Sequence, residues 1–268
     1  MSSHLSIFKN STALITGASS GIGKAYAQKL ASLGIHLILT ARSEQKLNEL
    51  ANELEKKYNI QVEVIGLDLA QPHAAQKLFD EVQARKLSVD ILINNAGFGK
   101  WSQFLDQSAA TYNEMIMLNM NSVTSLCYLF LPQMLASKKG IMINIASTAA
   151  FQPLPYIAVY GASKSYVLNF TEALAGEYAS SGVKFLAVCP GNTETNFTQV
   201  ANADTRGMKS SSVDDVVSAT LVALDQNKTS IIVGCSNYLT AQLPRILSRK
   251  KMLRMAERIL RDRVLKAS

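Results

Sequence analysis

The sequence of 268 residues predicts an α/β fold, a doubly wound parallel sheet of about seven strands with helices on both faces. Short apolar runs alternate with helix-like stretches from residue 12 to about residue 188, and a glycine-rich turn follows the first run. Such alternation implies right-handed crossovers between parallel strands. We find no linker or repeat, so we expect one domain over residues 1–268, with residues 236–268 as a basic helical extension of it.

Composition narrows the choice of function. A hydrophobic content of 48% is enough to fill one large core. The cysteines, Cys127, Cys189 and Cys235, are far apart among apolar residues, which predicts reduced, buried thiols and a cytoplasmic protein. No cysteine or histidine spacing suits a metal, so no metal site is predicted. The chain start lacks the features of a signal peptide and no run of about 18 apolar residues is present, so we expect neither export nor a membrane span.

The first predicted strand, residues 12–16, runs into a turn with three glycines and then into a helix over residues 24–33. Gly17, Gly21 and Gly23 have the spacing Gly-x-x-x-Gly-x-Gly. A strand, a glycine-rich turn and a helix in this order bring backbone N–H groups and a helix N-terminus against a pyrophosphate, as in Rossmann-type folds. The turn therefore predicts a dinucleotide site, and a glycine-rich turn without a ligand is the alternative.

The second predicted strand, residues 35–40, ends close to Arg42, which lies 19 residues after Gly23. An NAD site usually has an acidic residue at about this distance to bind the ribose 2′-hydroxyl, whereas a basic residue suits a 2′-phosphate. Arg42 therefore predicts NADP(H), and an exposed arginine at a strand end is the alternative. Ser43 begins a predicted helix that continues to about residue 58.

The next two predicted strands also end in residues suited to a ligand. Residues 62–67 precede Asp68-Leu69, and a helix is predicted over residues 72–86. Residues 89–93 precede Asn94-Asn95-Ala96-Gly97, whose small and amide side chains allow a ligand to approach the backbone closely. A plain turn is the alternative at this second position.

The central stretch of the chain predicts proton transfer to a carbonyl oxygen. A long helix is predicted over residues 108–136, with Asn119 in its middle, where asparagine is unfavourable. A fifth strand leads to Ser147, and the following helix carries Tyr160 and Lys164 four residues apart on one face. A phenol with a pKa near ~10 is a poor acid at neutral pH, and a nearby cation lowers that pKa. A tyrosine that is merely packed is the alternative.

The last predicted elements complete the sheet. The Tyr160 helix is expected to end near residue 180, and a sixth strand covers residues 183–188. Residues 196–212 are polar and aperiodic, as in a mobile lid or an ordinary surface loop. A helix over residues 213–224 and a seventh strand over residues 230–233 follow.

With these motifs in this order, residues 8–235 resemble the short-chain dehydrogenase/reductase family. The resemblance rests on the glycine turn, on the Asn-Asn-Ala-Gly segment and on four residues that match the family's catalytic tetrad: Asn119, Ser147, Tyr160 and Lys164. The cofactor-binding residues that it implies are Gly17, Ser19, Ser20, Gly21, Ile22, Gly23, Arg42, Asp68, Leu69, Asn95, Ala96, Gly97, Tyr160, Lys164, Pro190, Gly191, Thr193 and Thr195.

The resemblance implies hydride transfer between a nicotinamide and a carbonyl or carbinol carbon. Tyr160 would exchange the proton with the substrate oxygen, and Ser147 would hydrogen-bond that oxygen. Lys164 would lower the pKa of Tyr160 and hold the nicotinamide ribose, while Asn119 would hold a water. With Arg42 indicating NADP(H), reduction of a carbonyl is the expected direction.

The residues implied for the substrate pocket are aromatic or apolar apart from one hydroxyl: Phe98, Ser147, Phe151, Tyr156 and Phe197, with Pro153 and Tyr238 as further candidates. They favour a small-molecule carbonyl substrate that is hydrophobic, such as a 3-oxoacyl chain, a steroid or an aryl ketone. Packing of most of these residues in the core is the alternative.

The net charge of +7 belongs to the end of the chain. From Arg245 to Ser268, nine basic and two acidic residues give 9 − 2 = +7, so residues 1–244 are neutral overall. An apolar helical pattern, interrupted at Lys250, accompanies these charges. We expect a solvated helix packed on its own domain, and contact of residues 243–266 with an anionic membrane surface is the alternative.

The sequence therefore favours an NADP(H)-dependent oxidoreductase. A non-catalytic, cofactor-binding scaffold that acts through its basic tail is the alternative. Nucleic acid is not expected as a partner, because no aromatic residue follows Tyr238 to stack on bases. The family resemblance implies a homodimer through the helix over residues 108–136 and the Tyr160 helix, with a tetramer left open.

Overall fold

The computed structural model describes residues 8–265. Seven parallel strands are formed by the apolar runs: β1 (Thr12–Thr16), β2 (His36–Ala41), β3 (Val62–Gly66), β4 (Ile91–Asn94), β5 (Gly140–Ile145), β6 (Val183–Cys189) and β7 (Ser230–Ile232). They form one sheet in the order β3-β2-β1-β4-β5-β6-β7, which confirms the predicted fold. The strand order reverses between β1 and β4, and in such sheets ligands bind at the carboxyl ends of the strands at this point.

Ten helices lie among the described residues: α1 (Gly21–Ser32), α2 (Glu44–Tyr58), α3 (Ala74–Ala84), α4 (Ala109–Ile116), α5 (Ser122–Ser137), α6 (Ala158–Glu177), α7 (Phe197–Ala201), α8 (Val213–Asp225), α9 (Cys235–Ile246) and α10 (Arg249–Leu265). One buried cluster packs α1, α2 and α8 against the sheet, and a second packs α3 and α5 against it. Adjacent residues of β1 belong to different clusters, Leu14 to the second and Ile15 to the first. The strands are therefore buried on both faces, which explains their continuous apolar sequences.

The predicted helix over residues 108–136 is interrupted. Between α4 and α5 the chain forms a π-helical turn, Met117–Asn121, that contains Asn119. The amide of Asn119 bonds to groups outside the helix, and these tertiary contacts accompany the local change in helical pitch. Residues 109–137 are long and apolar enough to cross a membrane by length and composition alone, but Leu126 and Phe130 are buried in the second cluster, as in a core helix.

The predicted irregular segment over residues 196–212 contains a helix, α7. Its formation depends on tertiary contacts, because the backbone N–H of Trp101 donates to the carbonyl of Ala201 (2.9 Å) and Ala201 is fully buried. An isolated bridge between Thr193 and Ser211 closes the segment at its base. The helical periodicity of five residues is too short to be seen in the sequence.

Two further details differ from the sequence prediction. Cys235 is exposed, whereas Cys127 and Cys189 are buried, because Cys235 is the first residue of α9 and lies on its solvent side. The tail breaks before Lys250, since Leu247 has an extended backbone and the Ser248 hydroxyl accepts a hydrogen bond from the N–H of Lys251 (3.4 Å). The ends of the predicted domain, residues 1–7 and 266–268, lie outside the described residues.

Candidate active site

The glycine turn after β1 is closely packed against the segment that follows β4. A methyl group on Gly23 would collide with the carbonyl oxygen of Gly17 and lie 2.6 Å from Nδ2 of Asn95. The Asn95 amide donates to the carbonyls of Thr16 (2.9 Å) and Gly17 (3.2 Å). The backbone N–H of Ala96 donates to the Thr16 hydroxyl (2.9 Å). These bonds hold two strand ends together at the point where the strand order reverses.

The N-terminus of α1 fits a pyrophosphate. Ser20 is the N-cap residue, but its side chain makes no capping hydrogen bond, and the first turn carries no acidic residue. The N–H groups of this turn therefore point, without a side-chain acceptor, into a site that favours an anion. Ser19 and Ile22 are partly buried in the same turn, and Gly21 has a left-handed backbone (φ +54°) that suits glycine.

The segment after β6 closes this site from the other side. A methyl group on Gly21 would lie 3.0 Å from Cγ2 of Thr195, so the two predicted cofactor segments touch. The Thr195 hydroxyl accepts from the N–H of Phe197 (3.2 Å), and the Thr193 hydroxyl donates to the carbonyl of Gly191 (3.1 Å). The carbonyl of Pro190 accepts from the N–H of Thr148 (2.9 Å), which ties the segment to the end of β5.

Arg42 and Asp68 flank the same edge of the sheet. Arg42 follows β2 with 71% of its side chain exposed, and its guanidinium lies 3.8 Å from the Glu114 carboxylate. An exposed pair of this kind is weak, so the guanidinium is available to a ligand. Asp68 follows β3 and accepts from the N–H of Ala70 (3.0 Å), while the neighbouring Leu69 is buried.

Ser147 and Tyr160 meet at the carboxyl end of β5. The Ser147 hydroxyl accepts a hydrogen bond from the N–H of Ala149 (3.1 Å), which fixes its position. Burial raises the pKa of Tyr160 to about 12, and the neighbouring Ser147 hydroxyl acts in the opposite direction. Because Tyr160 is only half-buried as a residue, solvent moderates this shift. The phenol is thus protonated at neutral pH, which is the form that donates a proton.

Lys164 is buried beneath this pair, and its burial lowers the pKa of its ammonium group to about 8. Its Nζ donates to the carbonyl of Ile145 (2.7 Å) and lies 5.9 Å from the centroid of the Tyr160 ring. Burial is the largest influence on the pKa of Tyr160, and the lowering of this pKa by Lys164 stays a prediction. Lys164 can still stabilise the negative charge that forms when Tyr160 gives up its proton.

Asn119 is fully buried in the π-helical turn, and its side chain links the segment at Phe98 to α6. Its amide nitrogen donates to the carbonyl of Phe98 (2.9 Å) and to the Ser163 hydroxyl (3.0 Å), and its oxygen accepts from the N–H of Phe98 (3.1 Å). A methyl group on Gly97 would lie 3.0 Å from this oxygen and 3.4 Å from the Lys164 Nζ. Asn119 and Lys164 therefore both approach the space that a side chain at residue 97 would occupy.

A shallow cleft opens beside Tyr160. Four of its eight lining residues are aromatic, and the full set is Lys100, Ser102, Phe104, Tyr112, Tyr156, Ala158, Val159 and Tyr160. Of the predicted substrate residues, Tyr156 lines this cleft, and the Phe197 ring lies 5.4 Å from the Tyr160 ring on another side.

Other predicted substrate residues are placed differently. Phe151 packs against a small buried cluster around Val167, and Phe98 is fixed by its backbone bonds to Asn119. Tyr238 is largely exposed on α9, and Pro153 is not part of the cleft wall. These residues lie outside the wall of this cleft, and a role for them in substrate binding stays a prediction.

The sequence analysis missed the cleft residues between Lys100 and Tyr112. They follow the Asn-Asn-Ala-Gly segment directly, so their position after a strand that carries ligand-suited residues was the available signal. It also missed Asn237, whose amide approaches Gly191 so closely that a methyl group there would collide with it. This contact joins α9 to the cofactor segment.

The tail helix α10 holds the turn that follows α7. The guanidinium of Arg263 donates to the carbonyls of Asp204 (2.8 Å) and Arg206 (3.0 Å). Within that turn, Arg206 lies 2.8 Å from the Asp204 carboxylate and holds its pKa well below the usual range. The turn is thus fixed both internally and by α10.

The substitution Arg263→Met is expected to loosen this turn. Loss of two charge-assisted hydrogen bonds should speed amide hydrogen exchange in residues 202–208 by about 10- to 100-fold. Arg258→Met is the matched control, because Arg258 is an exposed residue of the same helix. Equal exchange in both variants would show that Arg263 does not hold the turn.

The site combines a helix N-terminus that fits a pyrophosphate with a tyrosine that can donate a proton. The profile described as "short chain dehydrogenase" matches residues 11–206. The chain belongs to the short-chain dehydrogenase/reductase family.

Relatives support this assignment at moderate identity. Residues of the chain are 34% identical over 195 positions to a very-long-chain 3-oxoacyl-CoA reductase of Anas platyrhynchos, covering 70% of this chain and 62% of that protein. They are 33% identical over 218 positions to an oxidoreductase of Staphylococcus epidermidis, covering 81% and 92%. The chain therefore spans about three fifths of the length of the first relative.

A solved structure shares the fold closely. The short-chain dehydrogenase from Sphingobium yanoikuyae in complex with NADPH superposes with a TM-score of 0.79 and is 33% identical. The match covers 88% of this chain and 94% of that structure.

Proposed function

We propose that the protein is an NADPH-dependent reductase of a hydrophobic ketone. The observation that carries the proposal is the grouping of the Ser147 hydroxyl, a protonated Tyr160 and the buried Lys164 ammonium at the carboxyl end of β5. This arrangement can deliver a proton to a carbonyl oxygen that enters the neighbouring cleft.

Each residue of the site has a separate role in the proposed reduction. When bound, the reduced nicotinamide supplies a hydride to the carbonyl carbon, and the glycine turn, the segment after β4 and the segment after β6 would hold the cofactor. Tyr160 donates its proton to the carbonyl oxygen, which completes a secondary alcohol. Ser147 hydrogen-bonds the same oxygen, and Lys164 stabilises the phenolate as it forms.

The choice of NADPH rests on Arg42. Its exposed guanidinium follows β2, where a 2′-phosphate would accept charge-assisted hydrogen bonds. The solved relative that binds NADPH supports the same choice.

The test is a fluorescence titration with NADPH and NADH, followed by NADPH oxidation over a panel of hydrophobic ketones. Arg42→Ala is expected to weaken NADPH binding by about 10- to 100-fold and to leave NADH binding nearly unchanged, because only the 2′-phosphate contact is lost. Arg254→Ala, an exposed arginine on α10, is the control. Equal losses for both nucleotides would contradict the role of Arg42, and absence of nucleotide binding would overturn the proposal.

The substrate class follows from the cleft and from one relative. Phe104, Tyr112 and Tyr156 give the cleft aromatic walls, which suit an apolar group beside the carbonyl. The relative named as a 3-oxoacyl-CoA reductase supports a 3-oxoacyl chain as the first ketone to test, ahead of steroids and aryl ketones.

For assembly and location we propose a homodimer in the cytoplasm. Tyr128 on α5 is largely exposed in the monomer, and α5 and α6 are the helices that the family resemblance implies for the dimer contact. The exposed thiol of Cys235 is compatible with a reducing compartment.

A further inference from the structure

The helical hairpin formed by α9 and α10 presents an apolar stripe to solvent from α9. Ala241 is buried and marks the inner side of this helix. Leu239, Leu243 and Ile246, spaced by four and three residues, lie on the opposite side. Leu239 is 67% exposed and Ile246 is 78% exposed, which is unusual for aliphatic side chains on neighbouring turns of one helix.

The second helix of the hairpin presents a basic stripe. Its inner side consists of the buried residues Met252, Ala256, Leu260 and Val264. Its opposite side carries the exposed residues Lys250, Arg254, Arg258 and Arg261. Met255 and Ile259 are exposed apolar residues that lie between the buried side and the basic side of α10.

We propose that this outward face of the hairpin binds an anionic lipid surface. Aliphatic side chains enter the boundary between headgroups and acyl chains, while lysine and arginine side chains contact the headgroup phosphates. The charge is concentrated here, because the net charge of +7 lies within residues 245–268 and residues 1–244 are neutral overall. The apolar and the basic stripe lie on consecutive helices, joined through Leu247 and Ser248.

Charge complementarity argues against two other occupants. A two-fold contact between copies centred on α10 would bring two basic stripes together, which like charges oppose. A nucleic acid would use the arginines of α10, but it would leave the aliphatic stripe of Leu239 and Ile246 in water. A lipid surface can contact both the aliphatic stripe and the basic stripe.

The hairpin lies against segments that flank the catalytic cleft. Glu257 of α10 accepts a hydrogen bond from the hydroxyl of Tyr156 (3.2 Å), a residue of the cleft wall, and Arg263 holds the turn after α7. Binding through the outward face of the hairpin would therefore keep the cleft close to the lipid surface. This inference does not depend on the proposed reaction, since lipid binding is measured without turnover.

The experiment is co-sedimentation of the full chain with phosphatidylcholine vesicles that do or do not contain about one third phosphatidylserine. We expect binding to the phosphatidylserine vesicles, with at least about tenfold weaker binding when the salt is raised from about 0.1 M to about 0.5 M. The triple substitution Lys250→Gln, Arg254→Gln and Arg258→Gln should weaken binding at least tenfold. The double substitution Leu239→Ser and Ile246→Ser should do the same.

Two control variants test whether vesicle binding depends on this face or only on the charge and apolar surface of the whole protein. Lys46→Gln, Lys56→Gln and Lys57→Gln remove the same charge from exposed positions of α2, and Val222→Ser removes an exposed apolar side chain from α8. Both controls should bind vesicles like the unaltered chain, and thermal unfolding and nucleotide titration check that every variant is folded.

Several results would overturn the proposal. These are no vesicle binding by the unaltered chain, equal losses in the α2 control, and no effect of the Leu239/Ile246 substitutions. Light scattering could instead show a larger assembly that those substitutions abolish, which would assign the face to contact between copies. Equally tight, salt-dependent binding to duplex DNA would assign it to nucleic acid.

Discussion

Replacing Tyr160 with phenylalanine is expected to lower kcat for ketone reduction by about 10²- to 10⁴-fold, the usual contribution of a positioned proton donor. The substitution removes only the hydroxyl group, which lies beside Ser147. The ring contact with Phe197 (5.4 Å) is retained, so the fold and the nucleotide affinity should change little. The measurement is steady-state NADPH oxidation together with a nucleotide titration.

Tyr166→Phe is the matched control for this experiment. Tyr166 lies on the same helix, and its hydroxyl pairs with that of Thr124 (2.7 Å) outside the cleft. Turnover of this variant should stay near that of the unaltered enzyme. If Tyr160→Phe kept its turnover, Tyr160 would not be the proton donor, and if no ketone were reduced although nucleotide bound, the scaffold function would become the better hypothesis.

Replacing Lys164 with methionine is expected to abolish most turnover and yet to stabilise the folded chain. At neutral pH the buried ammonium is charged in both the folded and the unfolded state, and the lowering of its pKa from 10.5 to about 8 means that folding disfavours this charge. The shift corresponds to roughly 3 kcal/mol at about 1.4 kcal/mol per pKa unit. Because methionine cannot replace the bond to the Ile145 carbonyl, we expect a net gain of about 1–3 kcal/mol.

The stability difference between Lys164→Met and the unaltered protein should depend on pH. Below pH 8 the full cost of the buried charge is present in the unaltered protein. As the pH rises from about 8 to 10.5, the folded state has lost the proton that the unfolded state still binds, so the unaltered protein gains stability. The advantage of Lys164→Met should therefore shrink over this interval, as measured by urea unfolding at pH 7 and about pH 9.5.

Lys46→Met is the control for stability, because Lys46 is exposed on α2 and should show no such dependence on pH. Should Lys164→Met be less stable than the unaltered protein at pH 7, the bond to Ile145 would outweigh the cost of the buried charge. Retained turnover would remove Lys164 from the proposed chemistry.

The sequence by itself determined the order of the strands and helices. Strands buried on both faces must be continuously apolar, and helices that cover them must be amphipathic, so the alternation along the chain predicted the sheet. It also determined which groups could react. Tyr160 and Lys164 share a helix face through their spacing, and the glycine turn lies between a strand and a helix, as in dinucleotide-binding folds.

Only the tertiary structure decided how these groups act on one another. Burial is the largest influence on the pKa of Tyr160, and this burial depends on the segments that pack around α6, which no local pattern encodes. The π-helical turn at Asn119 and the helix at residues 197–201 likewise form through contacts with distant segments. The tail shows the same limit. Its sequence contains both basic and apolar residues, but packing against the domain decided which of them remain exposed. Periodicity is a local property, whereas burial depends on which surfaces the whole chain brings together.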